Sequence, residues 1–137
     1  MLEQPRIHVL VADDEPHIGR IIKMKLEQGP FDVTLVYDGR EAIEKLEIDH
    51  DIALVILDVM MPYMTGLDVL AKIRADERWR AIPSIVLTAA GQEQHHKQAM
   101  SLGANEFLTK PFSPKKLYAR AAELTGVPSE EMGVSER

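Results

Sequence analysis

Five residues in this chain have types that could do chemistry together. Asp13 and Asp14 follow the apolar run IHVLVA, and Asp58 closes the run IALVIL. Thr88 sits near the end of PSIVLTA, and Lys110 follows ANEFLT. A charge at the end of a run that reads as fully buried needs a reason. Acidic groups at a buried rim repel each other and resist desolvation, so they call for a cationic partner. A hard divalent cation with oxygen ligands would satisfy them, and Mg²⁺ is the usual ion when phosphate is the other partner. Lys110 adds a fixed ammonium and Thr88 a hydroxyl donor. Metal, ammonium and a carboxylate nucleophile together suit the transfer of a phosphoryl group. Asp58 is the candidate nucleophile, because a central strand would hold it rigidly.

The elements that must position these groups follow from periodicity. Apolar runs at 6–14, 31–37, 52–58, 83–89 and 104–109 alternate with amphipathic stretches at 15–30, 39–49, 66–76, 92–103 and 113–124. Strict alternation predicts an α/β domain with a parallel sheet covered on both faces. The first, third and fourth strands are nearly continuous apolar runs, as expected of strands buried on both sides. The second alternates, and the fifth is short and carries Asn105 and Glu106. These two are predicted at the edges, which is met by a doubly wound five-stranded sheet of order 2-1-3-4-5 with five helices. In such sheets ligands bind beyond the carboxyl ends of the strands, where the order reverses. Here that point falls between strands one and three, where Asp13, Asp14 and Asp58 converge. Within the helices, Ile18, Ile21, Ile22 and Leu26 share one predicted inner face. The fourth helix is the most polar of the five.

The 137 residues include no cysteine and carry a net charge of −6. Thiolate metal sites and disulfides are therefore excluded. The acidic balance argues against direct nucleic-acid binding. No run approaches the roughly 18–20 apolar residues that cross a membrane, and the N-terminus lacks the zones of a secretory signal. A cytoplasmic location is expected.

The motif set Asp13-Asp14, LDVMMPYMTG (57–66), LTAA (87–90) and TKPF (109–112) resembles the receiver domain of two-component response regulators. The resemblance runs over roughly residues 6–124. It implies that Asp58 accepts a phosphoryl group from a sensor histidine kinase or phosphotransfer protein. It implies Mg²⁺ on the side chains of Asp14 and Asp58 and the Met60 carbonyl, with Asp13 acting through a metal-bound water. Thr88 and Lys110 would bind phosphoryl oxygens, Phe107 would be a switch aromatic moving with Thr88, and the Lys110–Pro111 bond would be cis. The residues two positions after Asp58 and Thr88, here Met60 and Ala90, would influence hydrolysis. The output would be a downstream protein or a fused domain, with a homodimer as a further expectation. Residues 1–125 would form the receiver and 126–137 a tail or truncated linker.

Other readings are weaker. A metal-dependent phosphatase with a strand-end nucleophile needs a second aspartate where Met60 stands. A flavin or nucleotide module needs a glycine-rich loop where DDEPH stands. A degenerate receiver acting only as an interaction module would not need the complete acidic set. His95 and His96 are expected to be solvated, His8 to be packed in its strand, and Trp79 to cover the sheet edge. Met60, Met61 and Met64 are expected to serve backbone ligation and loop packing.

Overall fold

A computed structural model describes residues 5–128. The strands are β1 (Ile7–Ala12), β2 (Phe31–Val36), β3 (Ile52–Asp58), β4 (Ser84–Ala89) and β5 (Glu106–Lys110). The helices are α1 (Pro16–Leu26), α2 (Gly39–Ile48), α3 (Gly66–Ala75), α4 (Glu93–Ser101) and α5 (Pro114–Thr125). All strand pairs are parallel and the order is β2-β1-β3-β4-β5. The tail expected at 126–137 lies, from residue 129 on, outside the described residues.

Alternation along the strands splits the core into two layers. Leu10, Ala12, Val55, Leu57 and Val86 pack on one face with α2, α3 and α4. Val9, Val11, Leu54, Ile56, Ile85, Leu87 and Leu108 pack on the other with α1 and α5. The same parity aims the groups that follow. Asp13, Asp58 and Lys110 continue the rows of the α1–α5 face, whereas Thr88 and Phe107 continue those of the α4 face.

Local signals set the helix starts. Thr65 and Asp68 form a reciprocal capping box at α3, Asp38 caps α2 and Ser113 caps α5. Helix α4 has no side-chain cap, and Ala99 is its one buried residue. It is thus the least anchored helix, as its polarity predicts.

Three expectations need correction. Ile21 is exposed; Gly19 takes its place inward, against the Leu35 side chain. Trp79 does not cover an edge strand. It is buried with Leu46 and Ile52 in the core beside the start of the central β3, and Arg78 lies 4.4 Å over its ring. His8 is half-exposed, with Nδ1 3.4 Å from Asp49. Of the three methionines, Met61 is buried in the core, Met64 packs against it as expected of loop packing, and the Met60 side chain is 60% exposed, its expected role being at the backbone carbonyl.

Arg74, which sequence reasoning passed over, ties three elements together. Its guanidinium donates to the carbonyls of Arg80, Ile82 and Gly103 and to the side chains of Ser84 and Asn105. These acceptors are all neutral, and burial pulls the Arg74 pKa down. Arg74→Met takes this donor from two part-buried acceptors, the Ile82 carbonyl and the Ser84 hydroxyl. A loss of about 2–3 kcal/mol is expected in urea unfolding, whereas Asp68→Asn at an exposed cap should change stability by about 1 kcal/mol or less.

Candidate functional site

The carboxyl ends of β1 and β3 meet where the strand order reverses. Asp13 follows β1 and is 1% exposed; Asp58 ends β3 and is 5% exposed. Asp14 stands beside them, exposed to solvent. One oxygen from each of the three carboxylates lies within 4.8 Å of the others. The loop after β3 closes over this point. A Cβ on Gly66 would lie only 2.2 Å from the Asp58 carbonyl oxygen, so glycine is required there by contact. Tyr63 in the same loop adopts φ 68°, with Arg40 stacked 3.9 Å from its ring centre.

Lys110, at the end of β5, reaches across the rim to the acids. Its Nζ is 2.7 Å from Glu15 Oε1, 3.0 Å from Asp13 Oδ2 and 3.4 Å from Asp58 Oδ2. Asp13 Oδ1 accepts from the Glu15 amide at 2.9 Å, which fixes the carboxylate plane. The Lys110–Pro111 peptide bond is cis.

The electrostatics follow from this crowding. Burial, then the neighbouring charge of Asp13, pushes the Asp58 carboxyl from 3.8 to about 7, against the pull of Lys110. Burial pulls Lys110 down, but the hydrogen bond to Glu15 and the charges of Asp13 and Asp58 outweigh it and carry the ammonium above its ordinary value. The hydrogen bond and charge of Lys110 hold Glu15 below the usual carboxylate range. One ammonium meets the carboxylates of Asp13, Glu15 and Asp58, and Asp14 adds a further negative charge beside them, so the rim remains acidic. Asp13 Oδ2 is enclosed and makes no directed hydrogen bond. Hard oxygen donors and excess negative charge, with the buried Asp13 Oδ2 met by the Lys110 ammonium at 3.0 Å, fit a hydrated divalent cation such as Mg²⁺.

Thr88 is 2% exposed, and its hydroxyl is hydrogen-bonded to His95 Nδ1 at 3.2 Å. Phe107 is half-buried on the same side, stacked on His96 with ring centres 4.4 Å apart and planes 10° from parallel. The expectation that both histidines are solvated is therefore incorrect for His95, which is half-buried; His96 is exposed on one face but covers an aromatic ring with the other. Glu15 and His95 are the two site residues that sequence reasoning missed. Glu15 was signalled by its place directly after the acidic pair. His95 carried no signal, because its neighbour depends on how α4 is rotated.

A doubly wound sheet of this order, with acids and a lysine at its switch point, defines the flavodoxin-like receiver class. The profile of the response regulator receiver domain matches residues 9–122, and the chain belongs to that family. It is a receiver domain of the two-component signalling type. The transcriptional regulatory protein SrrA of Staphylococcus aureus is 36% identical over 116 residues, which cover 85% of this chain and 46% of SrrA. The chain thus spans about half the length of the curated relatives it matches. Among solved structures, the Francisella response regulator 1452 receiver domain is 32% identical, with a TM-score of 0.80, covering 88% of this chain and 98% of that one. The chemotaxis response regulator CheY4 of Vibrio cholerae is 28% identical, with a TM-score of 0.80, covering 87% and 98%. Among the described residues, no helix is long and apolar enough to cross a membrane.

Proposed function

We propose that Asp58 is the phosphoacceptor of this receiver domain. The observation that carries the reading is the Lys110 ammonium lying between the Asp13 and Asp58 carboxylates at the rim of the central strands. The donor would be a phosphohistidine on a sensor kinase or phosphotransfer protein in the cytoplasm. An Asp58 oxygen forms a bond to phosphorus as the phosphorus–nitrogen bond breaks, and the imidazole leaves with the bonding pair. Asp14 and Asp58 side chains and the Met60 carbonyl would hold Mg²⁺, with Asp13 acting through a bound water; the ion supplies positive charge to the phosphoryl oxygens. Lys110 exchanges part of its contact with Asp13 and Glu15 for a phosphoryl oxygen. Thr88 donates its hydroxyl to another, and Phe107 follows into the space that Thr88 leaves. The altered α4–β5–α5 surface would then be read by a downstream protein, a fused output domain or a second copy of the chain. The receiver unit would span residues 1–125.

Incubation with acetyl phosphate and Mg²⁺ is expected to add one phosphoryl group by intact-mass measurement. The addition should be absent in Asp58→Asn and in the presence of chelator. Equal labelling of Asp58→Asn would overturn the assignment.

A further inference from the structure

The Thr88 hydroxyl has two places it can serve. The parity of β4 points it toward α4, where His95 holds it at 3.2 Å. Its strand neighbour is β3, whose Asp58 pairs in register with Leu87, so a phosphoryl group on Asp58 would stand beside Thr88 at the sheet's end. A hydroxyl has one proton and can donate it once. Phosphoryl oxygens are acceptors only, so Thr88 serves them by donating, and turning toward Asp58 to do so carries the hydroxyl away from His95 on the α4 side.

We infer that His95 is a positioning residue for the phosphorylation site, holding the Thr88 hydroxyl on the α4 side while Asp58 is unmodified. This deepens the phosphoacceptor reading of Asp58 and rests on it. His95 stands in the first turn of α4, whose N-terminal residue Gln92 makes no side-chain cap. Apart from buried Ala99, little of the helix is anchored in the core, so the Thr88 contact is a substantial part of what ties its first turn to the sheet. Loss of that contact frees the turn. The adjacent His96 covers Phe107, so the same turn bears on both residues of the proposed switch.

The bond opposes the phosphorylated arrangement, and its removal should favour that arrangement. In His95→Leu the bulk stays and the polar atom goes. In His95→Asn a polar atom remains where Nδ1 stands. Affinity for the phosphoryl mimic beryllofluoride, measured with Mg²⁺ by NMR titration, should rise about fivefold in His95→Leu, the equivalent of the ~1 kcal/mol that one hydrogen bond contributes net. His95→Asn should stay within about twofold of the parent. The Thr88 methyl resonance of the unliganded protein should move in the leucine variant and remain near its position in the asparagine variant. Unchanged affinity in His95→Leu overturns the inference, as does an equal rise in both variants, which would assign the effect to helix packing. If no form of the protein binds beryllofluoride, the Asp58 reading itself fails and this inference falls with it.

Discussion

Asp58→Asn is expected to unfold at higher urea concentration than the parent protein at pH 8 in chelator, with a gain on the order of 2–3 kcal/mol. The carboxylate is enclosed at the end of β3, beside Asp13 and within reach of a single ammonium that Asp13 and Glu15 share. Burial and the Asp13 charge raise its pKa from 3.8 to about 7. The folded state therefore keeps a proton that the unfolded state gives up near pH 4. Between those values the folded form binds more protons, so stability falls as pH rises, and above pH 7 the full penalty is present. Asparagine has no charge to desolvate and keeps nearly the same shape. The advantage of the variant should grow between pH 4 and 7 and then level off. Millimolar Mg²⁺ should stabilise the parent by binding the folded state alone, and the gap between the two proteins should close. A variant less stable than the parent at pH 8 in chelator would show that Lys110 more than offsets the acidic crowding.

The sheet was largely legible because its signals are local. Strands buried on both faces, such as 52–58, must be continuously apolar, while the edge strand 31–37 may alternate, and this places both in the order observed. The acidic cluster was legible for the same reason: Asp13 and Asp58 are the first charges after such runs, so their positions follow from the strand ends. Contacts that depend on the rotation of one element against another were not. His95 and His96 are adjacent on α4 and diverge by about 100°, yet one meets Thr88 and the other Phe107 because β4 and β5 both run beneath the helix. Trp79 and Arg74 have the same origin. Both lie between elements far apart in the chain, and each has a side chain that the surface of an isolated helix or loop would leave in water. Ile21 shows the converse: helical spacing made it an inner residue, but Gly19 gives α1 a closer approach to Leu35 and turns Ile21 outward.

The phosphorylated protein is expected to be long-lived, and the double variant Met60→Asn, Ala90→Glu to lose phosphate at least about tenfold faster. Hydrolysis needs a water in line with the phosphorus, opposite the Asp58 oxygen. The phosphoryl group would lie at the open end of the sheet, between the loop after β3 and the loop after β4. Met60 is two residues beyond Asp58 and is exposed at that mouth, and Ala90 is two residues beyond Thr88 and also exposed. A thioether is a weak acceptor and a methyl group is none, so neither side chain can hold the attacking water. Met60 is also apolar, and a side chain at that mouth would hinder the approach of a water. An asparagine can donate to and accept from that water, and a glutamate can accept its proton as the new bond forms, which is the general-base contribution usually worth a factor of one hundred or more in a well-placed site. Lys110 is unchanged in the variant and would still neutralise charge on the phosphoryl oxygens, so the gain would isolate the placement of water. The measurement is the decay of intact phosphorylated mass after removal of acetyl phosphate, for the parent, each single variant and the double variant. Equal decay in all four would mean that the lifetime is set by opening of the site around Lys110 and Thr88, and not by these two side chains.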